Sequence, residues 1–287
     1  MPDHRYCGKD FTAKEIETIR TILSENPKYS RSKISRMVCE TLQWYKPDGK
    51  LKDMSCRVAM LRMCEAGLIN LPPSRGLNGN PEMKIQFTEQ TSEKPPLTIS
   101  VEHLNDLHFD LVCKKKQSRL WNEYIHRYHY LGYTKLPGAQ LRFIVRTRND
   151  ILALLGFSAA AWKTAPRDQF IGWNDCQRQK NLNLIVNNSR FLILPWVKSK
   201  NLASKILGVI AKRLPEDWYT KYNLQPVLFE TFVESVRFRG TCYKAANWIY
   251  VGQTKGRGKL GDHKAKIPKK DIFLYPLNKK FKHILLS

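Results

Sequence analysis

Between Ser74 and Pro96 the chain carries Gly76, Gly79, Pro81, Pro95 and Pro96 among polar residues, with no sustained apolar period. A stretch of that kind buries too little apolar surface to hold itself in a core. It divides the 287 residues into a small module over 1–75, a linker over 76–96 and a larger domain over 97–287.

The small module reads as helical. Thr12 followed by Glu15 is a capping box, and Phe11 and Ile16 occupy the two positions of a hydrophobic staple. The helix they open runs to about Glu25, with Ile16, Ile19 and Leu23 inward and Pro27 beyond its end. Ser30 or Ser32 opens a second helix carrying Ile34, Met37, Val38 and Leu42 at helical spacing. After the polar turn Lys46-Pro-Asp-Gly-Lys50, a third runs from Met54 or Ser55 to Ala66 and is stopped by Gly67. Its expected core face is Val58, Leu61 and Cys64, and Leu68–Pro72 reads as a short strand. Three short helices and a strand predict a winged helix-turn-helix, whose last helix enters the major groove. Arg31, Lys33 and Arg36 on the second helix, Lys50 and Lys52 in the approach loop, and Arg57 and Arg62 on the third are the candidate DNA contacts. A protein-binding module with a solvated basic face is the alternative.

Charge supports a polyanionic partner. Lys and Arg number 49 against 25 Asp and Glu, a formal charge of +24. A polyphosphate uses such an excess by releasing counterions. The C-terminal segment adds to it, and Lys255, Arg257 and Lys259 in a glycine-bearing loop are further candidate phosphate contacts. A membrane surface is not expected as partner, since no basic amphipathic helix or lipid signal occurs. Ile151–Trp162, the longest apolar stretch, is too short to span a bilayer. Asp3, His4 and Arg5 do not open a signal peptide, so a cytoplasmic location is expected. Seven scattered cysteines without a C-x-x-C pair read as free thiols.

The larger domain predicts a mixed α/β fold with a mostly antiparallel sheet and one βαβ unit. A helix lies around Leu120–His129, and Leu141–Arg146 and Ile151–Ser158 form a hairpin across Thr147–Asp150. Strand Phe191–Pro195, helix Leu202–Leu214, strand Val227–Val233, helix Thr241–Ala246, strand Ile249–Val251 and a closing strand Ile272–Tyr275 follow.

That order, with Leu194-Pro195 ending one strand and Tyr243-Lys-Ala-Ala-Asn247-Trp248 after the next, resembles the GNAT acyltransferase fold. In that family a Q/R-x-x-G-x-G/A loop at a helix N-terminus holds the pyrophosphate of acetyl-CoA. The matching stretch is Lys198-Ser-Lys-Asn201-Leu-Ala203, where the alanine fits and Asn201 replaces the glycine. The resemblance makes Lys198, Asn201 and Ala203 candidate contacts for a CoA-type ligand. It makes Tyr243 the candidate general acid, although Asn247-Trp248 replaces the family's Gly-Phe. The GNAT fold also includes phage enzymes that modify DNA bases.

Longer strings are more specific. Arg127-Tyr-His-Tyr-Leu-Gly-Tyr133, Ala160-Ala-Trp-Lys-Thr-Ala-Pro-Arg-Asp168, Asn188-Ser-Arg-Phe-Leu-Ile-Leu-Pro-Trp196 and Arg237-Phe-Arg-Gly-Thr-Cys-Tyr-Lys-Ala-Ala-Asn-Trp248 resemble the DruA family of Druantia anti-phage systems. With Pro137–Arg142, Phe170–Trp173, Glu230–Val233 and Val251–Gly258 they cover most of residues 120–275. The resemblance implies a role in phage defence or a mobile element, with further defence-system subunits as partners, and settles no reaction.

Read from the residues alone, Asp168, Glu230 and Tyr243 are the candidate catalytic groups. Asp168 is a charge in a loop, and Glu230 lies inside an apolar strand on the face of Phe232, either paired or lining a cleft. Tyr243 and Arg257 are expected within reach of that cleft, as acid and anion-holding fork. The bland alternatives are an arginine partner for Glu230 (Arg190 or Arg237), a helix cap for Asp168 and a core ring for Tyr243. Convergence of Asp168 and Glu230 predicts Mg²⁺-assisted strand cleavage. His126 and His129, three apart on a helix, are either metal ligands or, with Tyr128 and Tyr130, a packed or base-stacking surface. Three functions follow: a DNA-binding defence protein, a strand-cleaving or transposase-like enzyme, and a CoA-dependent acyltransferase.

Overall fold

The computed structural model describes residues 4–74, 85–98, 106–136, 138–256 and 267–287. The chain divides into two compact units, Met1–Met83 and Lys84–Ser287.

In the first unit a hairpin of β1 (His4–Tyr6) and β2 (Lys9–Phe11) precedes three helices. These are α1 (Ala13–Glu25), α2 (Arg31–Thr41) and α3 (Asp53–Glu65). Thr12 and Glu15 form the expected capping box, Ser30 caps α2, and Gly67 follows α3 with φ of 72°. Phe11, Ile16, Ile19, Ile34, Val38 and Trp44 close the core.

Two expectations are corrected here. Leu68–Pro72 is not a strand, and the hairpin in this unit lies before α1. The inward face of α3 is Cys56, Ala59, Met60 and Met63, while Val58 and Leu61 are exposed and Cys64 is only partly buried. Small and flexible side chains pack where α3 crosses α2, and the larger branched residues are left outside. On α1, Ile22 is buried and Leu23 only partly so.

The second unit is built on a seven-stranded sheet. In chain order it contains β3 (Leu97–Thr98), β4 (His108–Leu111), α4 (Lys115–Tyr128), β5 (Gln140–Arg146) and β6 (Ile151–Ala159). Two short helices follow, α5 (Ala165–Ile171) and α6 (Asp175–Asn181), and then β7 (Ile185–Ile193) and β8 (Val197–Lys198). The chain closes with α7 (Leu202–Tyr222), β9 (Leu228–Glu234), α8 (Thr241–Ala245), β10 (Ile249–Gln253), β11 (Lys270–Pro276) and α9 (Phe281–Leu286). Sheet order is β10-β11-β9-β7-β6-β5-β4, and β3 and β8 pair separately. Every neighbouring pair in the large sheet is antiparallel except β7 and β9, which α7 joins as the single βαβ crossover. This is a mixed α/β unit with a mostly antiparallel sheet.

Within the stretch read as a linker, the turn Glu89–Thr91 is docked on α4. Buried Thr91 donates to Glu123 at 2.6 Å, and Tyr124 and Tyr128 donate to the carbonyls of Gln90 and Thr91. Among the described residues, no helix is long and apolar enough to cross a membrane.

Candidate active site

Strands β7 and β9 are nine and seven residues long, yet their backbones pair only from Ile185–Leu228 to Asn187–Glu230. Beyond Asn187 they part. The cause is local, because a register shift opposite Gly156 and Phe157 leaves Ser189 as an extra residue and bends β7 away. Asn188 secures the bend: its amide donates to the Arg190 carbonyl at 3.2 Å, and Thr231 Oγ1 bridges back to the Asn188 carbonyl at 3.0 Å.

The parting strands open a cleft of about 460 Å³. Phe191 and Ile193 line one wall, Thr231 and Val233 the other, Tyr243 of α8 the base, and Ala203 of α7 one rim. That volume and apolar lining with a few polar groups suit a small-molecule site. Tyr243 is buried and donates to Asn188 Oδ1 at 2.8 Å, with Thr231 Oγ1 at 3.4 Å from its oxygen. Burial pushes its phenol up, and Cys242 beside it adds to the shift, so the hydroxyl keeps its proton at neutral pH.

Helix α7 begins at the rim. Asn201 precedes it with φ of 62° and ψ of 0°, and gives no side-chain cap. The left-handed conformation is the one glycine takes most easily, and asparagine is the side chain that tolerates it best. Replacement of glycine at this position therefore keeps the turn. Among the described residues no side chain caps the first N–H groups of this 21-residue helix, which lie beside exposed Lys198 and Lys200. Ala203 is small enough to let a ligand approach.

Asp168 and Glu230 also converge, but on an arginine. Arg167 is wholly buried; its Nη1 donates to Glu230 Oε2 at 2.7 Å, and its Nε and Nη2 donate to Asp168 Oδ1 at 2.9 and 2.8 Å. The Ala161 N–H reaches the other Glu230 oxygen, and the Thr164 N–H and Trp173 Nε1 complete the shell of Asp168. Burial pushes the Glu230 carboxyl up, opposed by Arg167 and the Ala161 N–H. This network ties α5 to the sheet. Glu230 faces away from Thr231 and hence from the Tyr243 cleft, so the three candidates do not form one site. Neither Arg190 nor Arg237 is the partner of Glu230, since Arg237 pairs with Glu234.

The remaining candidates separate in the same way. Arg31 donates to the Pro72 carbonyl, Arg57 pairs with Asp53, Lys50 with Asp48, and Lys33 stands 3.4 Å over the Tyr29 ring. Arg36 and Arg62 are exposed, and Lys52 is half-buried. Lys255 is exposed, while Arg257 and Lys259 lie outside the described residues. His126 is exposed and faces Phe87, whereas His129 stacks on Tyr130 and lines the cleft. Among the described residues no three His, Cys, Asp or Glu side chains gather as metal ligands do.

His129 is a site residue that the sequence offered only as a metal or stacking candidate. Its Nδ1 accepts from the Leu131 N–H at 3.2 Å, which leaves Nε2 as the protonated nitrogen of the neutral ring. Burial, with Arg190 and Lys270 nearby, lowers it to about 4. Asn188 was missed altogether, because Asn187-Asn188-Ser189 reads as a turn rather than the middle of a strand.

The chain is similar in outline to the spermidine/spermine N-acetyltransferase SpeG from Vibrio cholerae, at 11% identity and a TM-score of 0.40 over 63% of this chain and 98% of that one. An N-acetyltransferase from Staphylococcus aureus Mu50 gives 9%, 0.37, 60% and 97% in the same order. The ribosomal-protein-S18-alanine N-acetyltransferase from Escherichia coli gives 7%, 0.36, 60% and 95%. No curated protein matches the chain. The family model described as Druantia protein DruA matches residues 66–264, well over half of the sequence and including every wall of the cleft. The chain belongs to the Druantia protein DruA family.

Proposed function

We propose that the second unit is a transferase that takes an acyl-CoA-type donor in the cleft between β7 and β9, and that the first unit brings DNA to it as part of phage defence. The observation that carries this reading is the parting of β7 from β9 after Asn187, next to an uncapped helix N-terminus entered through left-handed Asn201. A pantetheine arm is long, narrow and able to pair with exposed strand backbone, and its pyrophosphate suits the N–H groups that open α7. Lys198 and Lys200 supply further positive charge there. When bound, the donor supplies an activated acyl group.

The chain's own residues do the rest. Tyr243 keeps its proton, which rests on Asn188 Oδ1, and becomes the proton donor at the base of the cleft when that O–H turns from Asn188 to the ligand. His129, neutral and with its free proton on Nε2, is a hydrogen-bond donor at the wall. Phe191, Ile193 and Val233 exclude water around both. In the first unit, Arg36 and Arg62 leave two helices exposed and are the basic positions best placed for phosphates. Mg²⁺-assisted strand cleavage has less support, because both carboxylates it would use are already held by Arg167.

The test is transfer of label from radiolabelled acetyl-CoA to duplex, unpaired and branched DNA by the full chain. Label on DNA that disappears in Tyr243→Phe supports the reading. Unlabelled DNA together with strand scission would reject it.

A further inference from the structure

The turn between β9 and α8 leaves apolar and basic side chains in water beside the cleft. Val236 is 85% exposed and Phe238 46% exposed. This is not loose chain. The N–H groups of Arg237 and Phe238 donate to the Glu234 carbonyl at 3.1 and 2.9 Å, Arg237 Nε donates to its carboxylate at 2.7 Å, and Ser235 Oγ donates to the Lys269 carbonyl. The turn holds the Phe238 ring in a fixed position at the mouth of the cleft.

The ring is not alone. Tyr130 lies edge-on to Phe238 with centroids 5.2 Å apart, and the Arg237 guanidinium stands 5.6 Å from the Tyr130 centroid. Phe238, Arg239 and Tyr130 all line the cleft. Behind them Arg190 is 8% exposed; it donates to Thr134 Oγ1 and the Ser189 carbonyl, and its Nε has no partner among the described residues. No ion pair to Arg190 forms among the described residues. Lys270, half-buried, adds a further cation, and Glu234 is the carboxylate that faces this group. A buried arginine without a counterion projects positive potential towards the mouth of the cleft.

Flat rings beside guanidinium groups, over an uncompensated buried cation, match the chemistry of a nucleotide with a free base. We propose that Phe238, Tyr130, Arg237 and Arg239 form the acceptor subsite, taking an unpaired nucleotide with its base on the two rings and its phosphates on the two arginines. This rests on the transferase reading of the cleft and names the class of acceptor. A paired base is stacked inside its duplex, so the subsite selects single strands, loops or an extruded base.

The experiment uses the full chain and an oligonucleotide carrying one 2-aminopurine, in single-stranded form, over a salt series. Binding is expected to quench the fluorophore. Phe238→Ala should abolish most of the quenching and weaken binding by at least about five-fold. Arg237→Ala with Arg239→Ala should lower the salt slope by about two. Both positions are exposed, and circular dichroism checks that the variants fold. Quenching unchanged in Phe238→Ala but lost in Arg36→Ala with Arg62→Ala would overturn the proposal, as would displacement of the oligonucleotide by polyglutamate as readily as by poly-dT. CoA is titrated into the wild-type chain in parallel. Phe238-dependent quenching without CoA binding keeps the subsite and rejects the donor cleft, whereas CoA binding without quenching does the reverse.

Discussion

Arg167 and Glu230 meet at 2.7 Å with neither side chain exposed, on the face of β9 opposite the Tyr243 cleft. The pair fixes α5 against the sheet, with Asp168 sharing the same guanidinium and the Trp173 ring 5.6 Å from it. Removing one partner strands a buried charge. Arg167→Met, which leaves Glu230 and Asp168 without their cation, should destabilise the second unit by about 3–5 kcal/mol, read as the midpoint of urea unfolding, and Glu230→Gln should cost less because Asp168 still pairs with Arg167. Adding Glu230→Gln to Arg167→Met should recover part of the loss, because the double variant no longer buries the Glu230 charge. Additive losses would show that each side chain has an independent role.

Asn201 is expected to behave as a stand-in for glycine. Asn201→Gly should leave stability within about 0.5 kcal/mol of wild type, and Asn201→Val should cost about 1–2 kcal/mol through its left-handed backbone. Thermal unfolding distinguishes the two, and ligand binding at α7 should follow the same order.

Gly240 closes the turn at the other side of the cleft with φ of 65°, and a Cβ there would lie 2.6 Å from the Phe273 ring. Gly240→Ala should destabilise by at least about 2 kcal/mol, from backbone strain and overpacking together. Denaturant unfolding measures it. Gly172→Ala, where a Cβ would meet nothing within 4 Å, isolates the backbone contribution.

His129 gives the second unit a pH dependence. Its ordinary value of 6.5 falls to about 4 in the fold. Between those values the unfolded chain binds more protons than the folded one. Stability is therefore complete above pH 6.5 and declines as the pH is lowered towards 4. Unfolding midpoints at pH 7.5 and 5 should differ, and His129→Gln should reduce the difference. An unchanged slope in that variant would assign the loss to other groups.

What the sequence disclosed depended on whether the signal was local. The Thr12–Glu15 box, the Ser30 cap and the stop at Gly67 are local chemistry, and all three were readable. The hairpin of β5 and β6 and the crossover through α7 followed from apolar runs and their spacing. Strand β7 was read only at its apolar end, because Asn187-Asn188-Ser189 carries turn chemistry that is spent here on a bulge and on Tyr243. The α3 face was misjudged because side-chain size suggested Val58 and Leu61, whereas close helix packing selected Ala59 and its neighbours. At the site, Tyr243 and Ala203, the residues that the family resemblance singles out, both line the cleft. The Arg167 partnership was not readable, since its two carboxylates lie 1 and 63 positions away. Exposure of Phe238 depends on a turn held by Glu234, which no periodicity reveals.

The central claim is that the cleft between β7 and β9 takes a CoA-type donor. Isothermal titration of CoA into the full chain tests it most directly, with Asn201→Val and Tyr243→Phe alongside. Saturable binding of one CoA per chain is expected, weakened in Asn201→Val and largely kept in Tyr243→Phe. No heat of binding to a wild-type chain that unfolds cooperatively would contradict it.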